Sequence, residues 1–179
     1  MFWDFLQHKA GERLSGFVLQ KIPKHHYPFL PGCFEYADTI TCVSPGLLDR
    51  MQSHTDKPIK VVPNFFDERI FYVDTNVQKN KVFTWVSIGE PAHVKGLDIL
   101  LHAFAGLKNK LSEAPMQLIL IDQIPEKEEL IKLAQSLGIA DHIQWTGLIT
   151  QSEIAGILRK SHALISASRV ETFGKAIVE

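Results

Sequence analysis

The sequence has no long apolar run and no marked excess of either charge. None of its apolar stretches reaches the roughly 18 residues that indicate a membrane-spanning helix. Its 19 basic and 20 acidic residues give a net charge of −1, so the charge balance does not favour a nucleic acid or a strongly anionic membrane as partner. The N-terminal residues also lack the basic start of a signal peptide.

Cysteine is scarce, and several catalytic motifs are missing. Cys33 and Cys42 have no Cys-x-x-Cys partner and are typical of core thiols in a reduced cytosolic protein. The eight histidines form no H-E-x-x-H spacing, so no metal site is predicted. There is no G-x-G-x-x-G turn and no G-x-x-x-x-G-K-[ST] loop, which argues against a dinucleotide-dependent oxidoreductase and an NTPase.

Apolar strands alternate with amphipathic helices from residue 82 onward. The pattern predicts strands at 82–88, 117–121, 143–146 and 163–166, and helices at 98–111, 127–137 and 151–160. Gly138 is expected to end the middle helix as its C′ residue. This alternation predicts an α/β fold with a parallel sheet covered by helices on both faces. Ligands of such sheets bind beyond the carboxyl ends of the strands.

A shorter strand–helix–strand pattern precedes this region. Strands are predicted at 39–43 and 59–62, and the helix between them begins with Ser44 as N-cap and Pro45 at its first position. The residues before them are expected to form a helix at 2–22, a loop at 24–32 and a short helix at 33–38.

The polar segment 65–81 has little periodicity and is predicted to connect two domains. We therefore expect domains at 1–64 and 65–179. The first opens on a helix with no preceding strand, and the second stops inside a helix. Both ends are accordingly expected to be truncated.

Two glutamates near the end of the sequence, Glu171 and Glu179, are separated by seven residues. The first is predicted in the loop after the strand at 163–166, and the second in the helix that follows, about 9 Å further along its axis at about 1.5 Å per residue. Backbone N–H groups at a helix start attract phosphate. Two carboxylates on either side of an anion site suit a nucleotide sugar better than a glycosidase, whose carboxyl groups flank one bond.

The stretch Glu171–Glu179 resembles the E-x7-E signature of retaining glycosyltransferases with the GT-B fold, in particular family 4 (group 1). Other stretches resemble the same family in the same order, namely 37–44, 61–67, Gly89, 95–104, 137–139, 143–147 and 168–174. The resemblance covers about residues 34–179. It implies two Rossmann-like domains facing each other across a cleft, with this chain supplying the end of the first and most of the second.

The resemblance also implies roles for individual residues. Lys95 would neutralise the donor pyrophosphate, and Glu171 would bind donor-sugar hydroxyls near the reacting carbon, which makes these two the candidate catalytic residues. The other donor-binding candidates are Gly89, Thr172, Phe173, Gly174, Glu179, Gly147 and Leu148. Of these, Glu179 would accept hydrogen bonds from the ribose hydroxyls, and the base would pack near Gly147 and Leu148. Solvated charges and ordinary turn chemistry are the alternatives at these positions, as they are for Ser168 and Arg169 beside the site.

The sequence departs from the family pattern at two places. Glu90 stands where the family usually has arginine, and a carboxylate there would repel a pyrophosphate. The segment 120–125 replaces a glycine-rich turn, which removes a permissive backbone site. A non-catalytic nucleotide-sugar-binding remnant, or pseudoenzyme, is therefore the alternative interpretation.

The predicted function is transfer of a sugar from a nucleoside diphosphate sugar to a glycan or lipid-linked acceptor, with retention of configuration, as in polysaccharide biosynthesis. No metal or other cofactor is expected, because Lys95 and the helix start would stabilise the leaving diphosphate. The expected location is cytoplasmic, with peripheral membrane association of the full-length protein. The fragment alone is expected to be inactive.

Overall fold

The computed structural model describes residues 34, 36–89, 92–111, 113–121 and 127–179, and these form two compact units. The first unit contains the described residues up to Phe65 together with Val170–Gly174. The second contains Phe66–Arg169 together with Lys175–Glu179. The predicted elements before residue 33, Cys33, Glu90 and most of 120–125 lie outside the described residues. The division into domains at 1–64 and 65–179 stays a prediction.

The first unit is built on two parallel strands joined by a helix. Strand β1 (Ile40–Cys42) pairs with strand β2 (Ile59–Val61), and helix α1 (Pro45–Gln52) connects them. Ile40 and Cys42 are buried, so the apolar side chains of β1 face the interior as the sequence pattern predicts.

The predicted start of α1 is confirmed. The Ser44 hydroxyl oxygen accepts a hydrogen bond from the Leu47 N–H at 3.3 Å, which satisfies one of the unpaired donors at the helix start. Pro45 follows at the first helical position, where a missing N–H costs nothing.

The second unit is a four-stranded parallel sheet with helices. Its strands are β3 (Phe83–Ile88), β4 (Met116–Ile121), β5 (Ile143–Gly147) and β6 (Ala163–Leu164). Its helices are α2 (Ala92–Lys95), α3 (Leu97–Lys110), α4 (Lys127–Ser136), α5 (Gln151–Lys160) and α6 (Lys175–Val178). The strand order is β5-β4-β3-β6, and every pairing is parallel. The α/β fold predicted from the alternating pattern is confirmed.

Strand β4 lies inside the sheet and is buried on both faces. Leu118 and Leu120 pack in one apolar cluster, which includes the buried face of α3, and Ile119 and Ile121 pack in a second cluster on the other face. Full burial of each such side chain contributes about 1.5–3 kcal/mol. Apolar residues on both faces explain why β4 is a continuous apolar run and not an alternating one.

Local signals set the ends of the helices. Gly138 adopts a φ of 69° after α4, so its predicted role at the C′ position is confirmed. Helix α5 begins with a capping box, in which the Thr150 N–H donates to Glu153 Oε2 at 2.8 Å and the Glu153 N–H donates to Thr150 Oγ1 at 3.3 Å. The hydrogen bond from the Thr150 backbone lowers the pKa of Glu153.

A polar cluster around the buried Thr84 lies at the start of the sheet. The Thr84 hydroxyl accepts hydrogen bonds from Gln117 Nε2 at 2.9 Å and Asn80 Nδ2 at 3.1 Å, and donates to the Val82 carbonyl at 2.8 Å. The Thr84 N–H also donates to His162 Nδ1 at 3.1 Å. The amino ends of β3, β4 and β6 are therefore held in register at one point, which aligns their carboxyl ends at the opposite edge.

Strand β6 is shorter than predicted. Only Ala163 and Leu164 pair with β3, although the sequence predicts a strand through Ser166. The Ile165 N–H still donates to the Val86 carbonyl at 2.8 Å, and the chain then leaves the sheet. The chain leaves the sheet here because the backbone of Ala167 lies close against Gly96, a contact that belongs to the candidate site.

Candidate functional site

The candidate site of the second unit lies at the carboxyl edge of the sheet. Gly89 follows β3, and α2 with Gly96 leads from there into α3. The segment 165–169 follows β6, which is the neighbour of β3. Adjacent parallel strands bring the segments at their carboxyl ends together, and this edge is where ligands bind in open α/β sheets.

Gly89 and Lys95 are brought together as the sequence predicts for one site. Gly89 has a φ of 117°, and its N–H donates to the Ile121 carbonyl at 3.1 Å. A Cβ on Gly89 would lie 2.9 Å from Lys95 Cε and 3.5 Å from Lys95 Cδ. The stem of the lysine side chain therefore lies in the space that the glycine leaves open.

Gly96 makes the tightest backbone contact of this edge. It has a φ of 64°, and a Cβ placed on it would lie 2.1 Å from the Ala167 carbonyl oxygen. Its own carbonyl accepts from the Leu100 N–H at 2.9 Å, so Gly96 also begins α3. Any side chain at this position would separate the Lys95 turn from the segment after β6.

Arg169 joins the same two segments by hydrogen bonds. Its backbone N–H donates to the Val94 carbonyl at 2.8 Å, and its Nη1 donates to the His93 carbonyl at 2.7 Å. The guanidinium also forms a two-bond fork with Asp98, at 2.8 Å and 2.7 Å. This fork lowers the pKa of Asp98 to about 2 and raises the pKa of Arg169, so the pair stays charged throughout the neutral pH range.

Glu179 lies just after the short helix α6. Its carboxylate is 3.2 Å from Lys175 Nζ, one helical turn earlier, and only 11% of its side chain is exposed, against 48% for Lys175. The predicted helix start before Glu179 is confirmed. The glutamate is therefore paired with Lys175 and mostly shielded from solvent.

The first residues of the E-x7-E stretch, 171–174, belong to the first unit. The Thr172 carbonyl accepts a hydrogen bond of 2.5 Å from Ser44 Oγ, the same hydroxyl that caps α1. Gly174 is buried with a φ of 74°, a conformation that favours glycine. Phe173 is partly buried and Glu171 is exposed.

Gly147 ends β5 and Leu148 follows it, at the same edge of the sheet but two strands away from β3. This places them about 10 Å from Gly89 across the strands, at about 4.8 Å per strand. Leu148 is exposed, and Gly147 has a φ of 72°. A cleft of about 500 Å³ begins nearby, at Thr146 and Ile149, and extends along β5 and α5 to Lys160. The cleft does not include Lys95.

Metal-binding clusters and membrane-spanning helices are both missing from the described part of the chain. Within residues 34, 36–89, 92–111, 113–121 and 127–179, no group of three histidine, cysteine or acidic side chains could hold a metal ion. None of the helices in those ranges is long and apolar enough to cross a membrane.

Sequence reasoning missed Gly96, Asp98 and Ala167 as contacts at this edge. It also missed Lys175 as the partner of Glu179 and, in the first unit, Ser44 as the partner of Thr172. The local spacing of Lys95, Gly96 and Asp98 indicates a motif but not its contacts. The contact between Asp98 and Arg169 joins positions 71 residues apart, and Gly96 and Ala167 are equally distant in the sequence. No local pattern reports such a pairing.

Comparison with known proteins gives the family. The profile of the family "Glycosyl transferases group 1" matches residues 69–179. N-acetyl-alpha-D-glucosaminyl L-malate synthase of Bacillus anthracis is 27% identical over 81% of this chain and 39% of its own length. The lipopolysaccharide core biosynthesis glycosyltransferase LpsD of Rhizobium meliloti is 25% identical over 86% of this chain and 43% of its own length. The chain thus spans about two fifths of the length of these relatives.

Among solved structures, a variant of TarM from S. aureus in complex with fondaparinux, alpha-GlcNAc-glycerol and UDP matches 88% of this chain and 30% of its own, with a TM-score of 0.70 and 14% identity. At that identity the match shows the fold alone, which is the GT-B glycosyltransferase fold. The family match, by contrast, covers well over half of the sequence and includes every element of the sheet edge described above. The chain belongs to the glycosyl transferases group 1 family.

Proposed function

We propose that the intact protein transfers a sugar from a nucleoside diphosphate sugar to a glycan or lipid-linked acceptor. The observation that carries the proposal is the position of Lys95, whose side chain lies over Gly89 at the carboxyl end of β3. A cation at this edge meets an anionic ligand where open α/β sheets bind their ligands. Because the chain belongs to the group 1 family, the anionic ligand that we propose is a nucleoside diphosphate sugar.

Lys95 would stabilise the charge that develops on the diphosphate as the glycosidic bond breaks. A preorganised cation in a low-dielectric site stabilises a leaving group more in the transition state than in the ground state. The two glycines support this role, since Gly89 leaves room for the lysine stem and Gly96 allows the turn to pack closely.

Glu179 would accept hydrogen bonds from the donor ribose, and Glu171 would bind hydroxyls of the donor sugar. The ion pair with Lys175 supports the first role, because it restrains the carboxylate before a ligand arrives. In the family 4 mechanism proposed here, the acceptor hydroxyl enters on the face from which the diphosphate leaves, so configuration is retained. No metal is needed in this scheme, since Lys95 and backbone N–H groups take the charge.

The acceptor class is proposed from the relatives. LpsD acts in lipopolysaccharide core biosynthesis, and the TarM variant was solved with a GlcNAc-glycerol compound. Both point to a surface glycan or its lipid-linked precursor. Such an acceptor would place the intact protein in the cytoplasm, at the membrane surface.

The proposal is tested by titrating the intact protein with UDP, GDP and ADP in a calorimeter, and then measuring diphosphate release from UDP-glucose, UDP-N-acetylglucosamine and GDP-mannose. We expect one nucleotide to bind at least tenfold more tightly than the others, and its sugar to be turned over. Binding without turnover on any acceptor would favour the non-catalytic remnant. Absence of binding to all three nucleotides would refute both.

Glu179→Gln is expected to weaken binding of that nucleoside diphosphate by about 10- to 100-fold, because a hydrogen bond to a charged group contributes about 1.5–3 kcal/mol. The same titration with the 2′,3′-dideoxy nucleotide separates the ribose role from a general effect. The penalty for removing the hydroxyls should be large in the parent and nearly absent in the variant. Glu129→Gln on the exposed surface of α4 is the matched control and should change nothing. An equal penalty in the parent and Glu179→Gln would exclude the ribose contact.

A further inference from the structure

Arg169 contacts both sides of Lys95 along the chain. It bonds the carbonyl groups of His93 and Val94, which precede the lysine, and the carboxylate of Asp98, which follows it. In the sequence Arg169 stands two positions before Glu171. One residue therefore connects the turn that carries the candidate phosphate-binding lysine to the segment that leads into the E-x7-E stretch.

The turn needs such support because its own structure is weak. Helix α2 has only four residues, which is too short to be stable alone. Lysine also has one of the largest side-chain entropies, so a mobile backbone beneath it would spread its ammonium group over a wide volume. The arginine fork is planar and rigid, and two parallel bonds to Asp98 fix both the distance and the orientation of the turn.

We propose that Arg169 is a positioning residue, which acts through Lys95 by holding the turn at His93–Asp98 in the geometry that the departing diphosphate requires. The proposal rests on the proposed function. Arg169 needs no contact with the donor for this role. Its effect is preorganisation, because misplacing a charged group by about 1 Å can cost about a hundredfold in rate.

The competing explanation is an ordinary surface ion pair that serves only stability. Asp98 is 44% exposed and Arg169 is 29% exposed, and pairs at this exposure contribute little to unfolding free energy. The two explanations therefore predict different things. If Arg169 and Asp98 form only a surface pair, removing the pair should have small effects on both the melting temperature and turnover. If Arg169 is a positioning residue, its removal should have a small effect on the melting temperature and a large effect on turnover.

The kinetic experiment uses the intact protein with Arg169→Gln, Arg169→Lys and Asp98→Asn. For Arg169→Gln we expect kcat to fall about 10- to 100-fold, with the Kd for the nucleoside diphosphate raised less than about fivefold and the melting temperature shifted by about 2 °C or less. Arg169→Lys keeps the charge but loses the fork, so it should recover only part of the rate. Asp98→Asn should lower kcat in the same direction.

A double-mutant cycle decides whether the effect passes through the lysine. In a Lys95→Ala background, Arg169→Gln should lower kcat by no more than about twofold, because the group that it positions is gone. Arg69→Gln is the matched control, since Arg69 forms a similar fork with Asp67 at 2.9 Å and 2.7 Å elsewhere in the unit. It should leave kcat unchanged. The proposal would be overturned if Arg169→Gln left kcat unchanged in the parent. It would also be overturned if Arg169→Gln lowered kcat as much in the Lys95→Ala background as in the parent.

Hydrogen exchange tests the positioning role without any turnover. Amides of residues 93–98, such as that of Gly96, which donates to the His93 carbonyl at 3.2 Å, should exchange at least tenfold faster in Arg169→Gln than in the parent. Amides of β4 should be unaffected. Unchanged exchange at 93–98 in Arg169→Gln would refute the positioning role, even if the protein turns over donor. Faster exchange at 93–98 in a protein that binds no nucleotide would leave the positioning role standing and refute only the proposed function.

Discussion

Lys95→Ala is expected to lower kcat for donor turnover by about 10²–10³-fold in the intact protein, the usual loss when one preorganised charge-stabilising group is removed. The Kd for the nucleoside diphosphate should rise by less than about tenfold. The reason for the difference is that the diphosphate gains negative charge as it leaves, so the ammonium group interacts more strongly with the transition state than with the bound donor. Steady-state kinetics and calorimetry on the same preparation measure the two quantities.

Two further lysine variants complete that experiment. Lys95→Arg keeps a cation but replaces the flexible stem that lies over Gly89 with a bulkier guanidinium group, so it should retain more activity than alanine without reaching that of the parent. Lys110→Ala, at the exposed end of α3, is the control and should leave both constants unchanged. A loss of affinity with kcat unchanged for Lys95→Ala would mean that the lysine binds the donor and the transition state equally and does not favour the departing diphosphate.

Gly96→Ala should be the most destabilising single-methyl change at this edge. Left-handed strain costs an L-residue about 1–2 kcal/mol and overpacking about 1–3 kcal/mol, so the free energy of unfolding should fall by about 2–5 kcal/mol. The overlap is with the carbonyl oxygen of Ala167, a backbone atom that cannot rotate away as a side chain would. Urea unfolding followed by circular dichroism gives the value.

Substitutions at two other glycines separate the effect of backbone strain from the effect of overpacking. Gly138 has a φ of 69°, and a Cβ at this position would meet nothing within 4 Å, so Gly138→Ala should show only the strain. Gly106 lies inside α3 with open space around it, so Gly106→Ala should raise the free energy of unfolding by about 0.5–1 kcal/mol. A loss for Gly96→Ala no greater than that for Gly138→Ala would show that the contact with Ala167 tolerates a methyl group.

The sequence predicted the elements whose signals are local. Helix α5 was predicted at 151–160 and is found at Gln151–Lys160, because its apolar spacing and its capping pair lie within a dozen residues. Strands β3 and β4 are predicted within a residue of their ends, since both are rich in apolar and β-branched residues and β4 has the near-continuous apolar run of a strand buried on both faces.

The predictions were poorer where a distant contact decides the structure. The apolar residues 163–166 suggest a four-residue strand, yet pairing stops at Leu164 because Ala167 is held against Gly96 and Arg169 against Val94. Gly89 and Lys95 could be placed together because they are close in sequence. The fork between Arg169 and Asp98 could not, since neither residue's neighbours indicate the other. The roles of Glu171, Glu179, Gly147 and Leu148 toward a donor stay predictions.

The position of β6 also has a consequence for the order in which the chain folds. Residues joined across β3 and β4 are 33 positions apart, as for Thr84 and Gln117, whereas the contact of Thr84 with His162 closes a loop of 78. Because longer loops close more slowly, β3 and β4 should pair before β6 docks beside them. The segment 165–169, which contacts the turn around Lys95, follows β6. The turn should therefore acquire its final geometry only in the last step of folding. A chain emerging from the ribosome would thus pair β3 with β4 before the turn around Lys95 reached its final geometry.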